Sequence, residues 1–339
     1  MIMEKIKPIK ILSAKQISIQ NPLCEDWMEN PLNYGEDYVR AVDPDFKPFI
    51  SAGDARRMGK LLKRALATSL SALQEGGIDN PDAIITGTGF GSIENTELFL
   101  DALVREGEQL LKPTQFMQST HNTASSLIGI HTRCHGYNST YSQKGFSFDS
   151  ALYDAWMQFR IGRIKSALVG SHDEMSPVFS GFVRKAGHVK KGEICSEAAV
   201  SVLLAESGDA AYCTLEGVKL IDTPSEDSLK QVLDNMTAGG IDAVMTGKSG
   251  NVENDSWYGF LDAILPGVPQ LRYKPLFGVN FSSSAIGFYA AACCLRKSSV
   301  PAVLAVSGKA VECGKGILVV NVVEGRHYSF SLLKPVCGR

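Results

Sequence analysis

The chain has 339 residues, 44% hydrophobic and 21% charged, with a formal net charge of −2. That is enough for two ordinary domains or one large layered one, in the composition of a soluble globular protein. The near-neutral charge argues against a surface that tracks nucleic-acid phosphates, and the longest apolar run, Ala285 to Leu295, is too short for the roughly 20 residues that span a bilayer.

Met1 to Leu12 is basic and apolar but lacks the h-region of a signal peptide, so it predicts a first strand. A Pro-, Asn- and Asp-rich stretch follows to about residue 50 and reads as irregular loop. Met58, Leu61, Leu62, Ala65, Leu66, Leu70 and Leu73 repeat at helical spacing, and Gly76 and Gly77 end that helix. Ala83 to Thr86 is a short buried strand. It runs into Gly87-Thr-Gly-Phe-Gly-Ser92, and a helix starts near Asn95. A helix from Ala124 to Thr132 precedes a β-branched, aromatic strand, Ser139 to Gln143. A turn at Gly145 then leads into a helix from Ser150 to Arg160. Ser166 to Gly170 and Ala198 to Leu204 are further strands. The second half repeats the logic: helix Ser228 to Met236, strand Ile241 to Met245, helix Ala285 to Leu295, strands Ala302 to Val306 and Gly316 to Val323. Strands alternating with helices predict an α/β protein with a mainly parallel sheet. The eight cysteines are scattered with no CxxC pair, which fits a reduced, cytoplasmic protein with Cys293 and Cys294 as core thiols.

Several blocks, in order, resemble the β-ketoacyl-ACP synthases of the thiolase superfamily. Asp54-Ala-Arg-Arg-Met-Gly-Lys60 is similar to that family's D-x-R-R-M block. Ile85-Thr-Gly-Thr-Gly-Phe-Gly-Ser92 is similar to its G-x-G-x-G strand end. Phe116 to Ala124 resembles the segment before the dimer helix, Ser166 to Glu174 resembles A-L-x-G-G-x-E, and Ser196 to Leu204 resembles G-E-G-A-G. The resemblance implies a thiolase-like fold of two pseudo-symmetric halves around a five-layered αβαβα core, with two stacked mixed sheets. It divides the chain into an N-terminal half, 1–205, and a shortened C-terminal half, 206–339.

The catalytic positions of that family are empty. Its nucleophilic Cys sits at a strand–turn–helix junction, and the Ala151-Leu152 and Asp154-Ala155 pairs lay the motif on so that the Cys falls on Gly145. The N-A-H-G-T histidine falls on Gly247 in Asp242-Ala-Val-Met-Thr-Gly-Lys-Ser249. The K-x-x-x-G-H histidine falls on Val279, after Lys274-Pro-Leu-Phe-Gly278. The late G-F-G-G loop is replaced by Ser307 to Gly316. Condensation needs a thiolate to carry the acyl chain and two imidazoles to act as base and donors to the enolate. Losing one member of such a set costs thousands-fold or more. The resemblance therefore implies a non-catalytic subunit, like a chain-length factor. It would pair with an active ketosynthase and an acyl carrier protein in fatty-acid, polyketide or aryl-polyene chain elongation, with no cofactor, metal, nucleic acid or membrane. The expected interface is Ser139, Thr140, Tyr141, Ser142 and Gln143 with the preceding helix, and a homodimer is the fallback.

Other readings compete. Gly87 to Ser92 suggests a dinucleotide loop but lacks the third glycine and a ribose acid. Thr246-Gly-Lys-Ser249 resembles a P-loop end, with Asp242 where the first glycine belongs. His131-Thr-Arg-Cys-His135 is a weak metal pattern. An acyltransferase or hydrolase is the alternative function, with Cys134 as nucleophile beside His121 or His131, or with Ser147. Phe146 and Phe148, two residues apart at the turn, are core packing or, with Lys274, the wall of an acyl pocket.

Overall fold

The computed structural model describes residues 8–108, 111–208 and 210–336. The expected first strand starts at Ile9, and Met1 to Lys7 lie outside the described residues. The strands are β1 (Ile9–Ile17), β2 (Ala83–Gly87), β3 (Tyr137–Tyr141), β4 (Ser166–Asp173), β5 (Ala198–Ala205), β6 (Cys213–Asp222), β7 (Ala243–Thr246), β8 (Gln270–Arg272), β9 (Ser299–Val300), β10 (Val311–Glu312), β11 (Ile317–Val323) and β12 (His327–Lys334). The helices of the first half are α1 (Ala52–Ala55), α2 (Lys60–Gly76), α3 (Ile93–Glu106), α4 (Pro113–Ser119), α5 (Thr123–Thr132), α6 (Ser147–Arg160) and α7 (Pro177–Lys185). Those of the second are α8 (Glu226–Thr237), α9 (Val252–Ser256), α10 (Phe260–Ile264), α11 (Lys274–Phe277) and α12 (Ser283–Lys297).

Ten strands join one sheet in the order β3-β2-β4-β5-β1-β6-β12-β11-β7-β8. The strands before residue 206 and those after it occupy opposite ends, so the two expected sheets are one continuous sheet. The join is β1. It pairs antiparallel with β5 from Lys10↔Ala205 to Ile17↔Ala199, and its first residues also pair with β6, from Ile9↔Leu215 to Ile11↔Cys213.

Side-chain alternation on these strands creates the layers, because successive residues point to opposite faces. On β2, β4 and β5, Ile84, Leu168 and Leu203 face an outer cluster with α2 and α5. Ile85, Val169, Val202 and Leu204 face the central cluster. On β7 and β11, Val244, Leu318 and Val320 pack outward with Leu229 and Leu233 of α8 and Leu261 of α10. Ala243, Met245, Ile317 and Val319 turn inward to the same central cluster. That centre holds α6 and α12, and α12 is buried from Ser283 to Leu295. Helix, sheet, central helices, sheet, helix is the five-layered αβαβα arrangement of a thiolase-like fold.

The two sheet edges are treated differently. Ala302 to Val306, expected as a strand, follows Pro301 into turns closed by Leu304 N–H to the Pro301 carbonyl and Ala305 N–H to the Ala302 carbonyl. This segment covers β8: Arg272 N–H donates to the Leu304 carbonyl (2.8 Å) and Val306 N–H to the Gln270 carbonyl (3.0 Å). The β3 edge has no such cover among the described residues. β3 runs parallel to β2, with Tyr137 N–H donating to the Asp82 carbonyl and Thr88 N–H to the Tyr141 carbonyl. The odd residues thus bond β2, and the backbone groups of Asn138 and Thr140 point outward. Ile130 of α5, the helix that packs on β3, is 73% exposed, and Met117 of α4 and Val104 of α3, next in the helical layer, are 66% and 84% exposed.

Candidate functional site

The strand–turn–helix junction forms as the spacing predicts. β3 ends at Tyr141, a single 3₁₀ turn spans Lys144 to Phe146, and α6 begins at Ser147. Lys144 holds φ at +50°, a conformation that costs a non-glycine residue roughly 1 kcal/mol or more. The Ser147 hydroxyl accepts from Gln143 N–H (2.7 Å) and lies 2.7 Å from the Lys144 carbonyl and 2.9 Å from that of Thr88. It pins the turn to the end of β2 and is fully buried. Gly87 permits the approach, since a Cβ there would sit 2.5 Å from the Ser147 carbonyl carbon.

The glycine-rich loop after β2 does not hold a ligand phosphate; its donors are already used. The Asp173 carboxylate accepts from N–H of Gly89 (2.9 Å), Phe90 (2.9 Å) and Gly91 (3.1 Å), and from the Thr88 hydroxyl (2.9 Å). Ser282 at the start of α12 donates to the same carboxylate (2.8 Å), so the loop is tied to the second half. The neighbouring Glu174 caps α3 through Glu94 N–H (2.8 Å), and burial pushes its carboxyl up to about 7.

Gly145, Lys274 and Val279 line one cavity of about 110 Å³, with His188, Asn321 and Ser284. Gly247 stands behind Lys274: a Cβ on it would lie 3.4 Å from the Lys274 ammonium and 2.4 Å from the Tyr258 hydroxyl. Gly145 and Val279, far apart in sequence, thus share one cavity wall, while Gly247 sits a layer further back. At Gly145 there is space, because an added Cβ meets nothing closer than Val323 Cγ2 at 3.7 Å. At Gly247 there is none, because the buried Tyr258 hydroxyl fills the place of a side chain and accepts from Val322 N–H (3.1 Å). Val279 is woven into backbone, its N–H donating to the Ile194 carbonyl and its carbonyl accepting from Ser196 N–H.

Behind the cavity lies a buried carboxyl that sequence reasoning missed. Asp149, on the second turn-facing position of α6, accepts from Asn321 Nδ2 (2.8 Å) and from the Ser329 hydroxyl. Asn321 also donates to the Gly145 carbonyl (3.1 Å), linking the turn to β11. Burial raises the Asp149 carboxyl to about 6. Burial pushes the Lys274 ammonium pKa down, and the His188 pKa is lowered by burial with a further push from Lys144. At the mouth, Lys144 and Glu324 form a half-exposed ion pair (3.4 Å). The missed signal was an acid one turn into an otherwise apolar helix face.

The remaining expected residues lie apart. Phe148 is core, edge-on to Phe288 with ring centres 5.6 Å apart. Phe146 leaves in another direction and stacks on His327 at 5.6 Å. Neither lines the cavity, in contrast to the pocket reading; of that set only Lys274 does. Cys134 follows α5 at the opposite end of β2 from the turn. Its thiol donates to the Pro81 carbonyl (3.0 Å), while His131 Nδ1 bonds its own helix at Leu127 (3.1 Å). His172 is buried beside Ser201 (3.2 Å), and burial holds it neutral by lowering its pKa to about 3. Among the described residues no group of three His, Cys, Asp or Glu is placed to hold a metal.

A family model described as "Beta-ketoacyl synthase, N-terminal domain" matches residues 25–250. No curated protein matches the sequence. Among solved structures, the ishigamide ketosynthase/chain length factor is similar at TM-score 0.80 and 16% identity, over 97% of this chain and 99% of that one. A β-ketoacyl synthase from Burkholderia phymatum STM815 is similar at TM-score 0.80 and 13% identity, over 97% and 100%. A type II polyketide acyl-carrier protein in complex with its ketosynthase matches at TM-score 0.78 and 15% identity, over 97% and 100%. At such identities the likeness is one of fold.

Proposed function

The chain belongs to the β-ketoacyl synthase family, and we propose that within it this protein is a subunit without condensing activity of its own, acting beside an active ketosynthase in carrier-bound acyl-chain elongation. One observation carries the reading. Of the positions matched to the Cys-His-His set, Gly145 and Val279 line one cavity and Gly247 lies behind its Lys274, and none of the three has a side chain that can do the chemistry. No thiol lines that cavity, and its only imidazole, His188, comes from the loop after α7. The cavity offers no thiol to carry an acyl chain and no pair of imidazoles to steady an enolate.

The open β3 edge supports a paired subunit. An unpaired strand exposing the N–H and C=O groups of Asn138 and Thr140 invites another strand. The exposed apolar side chains of α3, α4 and α5 would extend the contact toward the 2,000 Å² or more typical of obligate interfaces. Pairing there would bring Lys144 to Phe146 toward the partner. Because Phe148 is committed to the core, Phe146 is the aromatic that would shape the partner's acyl tunnel and so limit chain length. A homodimer on the same surface is the second form. The halves 1–205 and 206–339, with their boundary between β5 and β6, are the units of this assembly. No helix among the described residues is long and apolar enough to cross a membrane.

The test is reconstitution. The purified protein with acyl- and malonyl-loaded carrier protein is expected to give no condensation and no acyl-enzyme by intact mass. Affinity capture from cells is expected to return a ketosynthase, and adding it is expected to produce elongation. An acyl-enzyme lost on changing a single cysteine, or a stable monomer that captures no ketosynthase, would overturn the reading.

A further inference from the structure

Lys274 opens α11 and lines the cavity, yet among the described residues its ammonium has no carboxylate within 4.0 Å and no hydrogen-bond acceptor. The carboxylates that act on it from farther off are engaged elsewhere. Glu193 accepts from Asn254 Nδ2 (2.9 Å) and from the Ser249 hydroxyl, and Asp255 accepts from N–H of Ser249 (2.8 Å) and Gly250 (3.2 Å). On the side of Gly247 the amine faces backbone and the Tyr258 hydroxyl, with no charged group. A second polar group in the same cavity is also unspent: the Ser284 hydroxyl, 4% exposed, forms no hydrogen bond, lying near Asp149 without bonding geometry. Lysines desolvated in this way, with no partner to hold the charge, are the ones that act as amine nucleophiles.

We propose that Lys274 captures a small ketone or aldehyde as an imine in this cavity. The neutral amine adds to the carbonyl carbon, forming a C–N bond while the carbonyl oxygen takes up a proton. Loss of water then breaks the C–O bond and leaves C=N, and hydrolysis reverses the step. No oxidant or cofactor enters the balance. A cavity of about 110 Å³ holds the volume of a few water molecules at roughly 30 Å³ each. The ligand is therefore a short carbonyl compound, such as a short 3-oxo acid, with Ser284 donating to its polar end. Burial lowers the fraction of Lys274 carrying a proton, which favours the reaction. The proposal is independent of partner pairing.

The intact protein is incubated with acetoacetate and sodium cyanoborohydride, then measured by intact mass and peptide mapping. The expected result is a single adduct, the mass of the ketone less one oxygen atom, on Lys274. Lys274→Met and Lys274→Arg are both expected to lose it. Arginine keeps the charge, and melting curves separate lost chemistry from lost fold. A long-chain 3-oxo acid is expected to leave Lys274 unlabelled. No adduct on Lys274 in the unaltered protein, labelling spread over surface lysines and unchanged in both variants, or equal labelling by the long-chain acid would each overturn the proposal.

Discussion

At the residue scale, two of the three positions matched to the family's catalytic set differ in kind. Gly145 is an omission: the space for a Cβ is present, with Val323 Cγ2 3.7 Å away. Gly145→Cys is expected to fold with an unchanged melting temperature and still show no turnover with carrier-bound substrates, because Gly247 and Val279 supply no base. Turnover above background would show that one imidazole, His188, suffices. Gly247 is a replacement: the Tyr258 hydroxyl occupies the place of its side chain. Gly247→His must push aside a tyrosine that is 1% exposed, and such overpacking costs about 1–3 kcal/mol. Denaturant melts are the measurement, and an unchanged midpoint would mean that Tyr258 yields freely. The assignment of these positions rests on motif spacing. The tyrosine was not legible in the sequence, because it lies outside every matched block and reaches Gly247 only through the tertiary fold.

At the element scale, long periodic helices and buried apolar strands were readable, whereas β6 and β12 of the second half were not. β12, His327–Lys334, alternates as HYSFSLLK, a period-two signal that could have found it. β6 is interrupted by Gly217 and several charges because its later residues lie near the surface, so its pattern is weak. Ala302 to Val306 had the composition of a strand but became a cover for β8, since Pro301 starts a turn there. The β3 edge yields a prediction that the sequence alone could not aim. Tyr141 bonds inward to β2, whereas the Thr140 N–H points outward. Thr140→Pro should therefore remove a donor from the open edge and spare the internal ladder. Light scattering of the captured complex, or of the homodimer, is expected to show dissociation with circular dichroism unchanged. An intact complex would place the interface elsewhere.

At the scale of the whole molecule, the layers were implied by the ordered family-like blocks, but the buried acids that bind them together were not. Asp149 and Glu174 have folded pKa values raised by burial to about 6 and about 7, above their ordinary 3.8 and 4.5. The folded state holds their protons more tightly than the unfolded chain. Their contribution is fully present below about pH 4 and is lost as pH rises through about 6 and about 7. For Asp149 the swing is of order 3 kcal/mol. Chemical denaturation between pH 4.5 and 8 is expected to show stability falling across this window, and Asp149→Asn should flatten the fall. A rise over the same range in the unaltered protein would contradict it. The seam at β1 has a further consequence, for biogenesis. β1 leaves the ribosome well before its partners Ala199 to Ala205 and Cys213 to Leu215, which lie most of the first half's length downstream. At about 5–20 residues per second, it waits on the order of ten seconds or more with both flanks bare. High contact order of this kind slows folding and leaves nascent chains open to chaperone capture. Translation rate and chaperone supply, as much as temperature, should govern the yield of this protein in a foreign host.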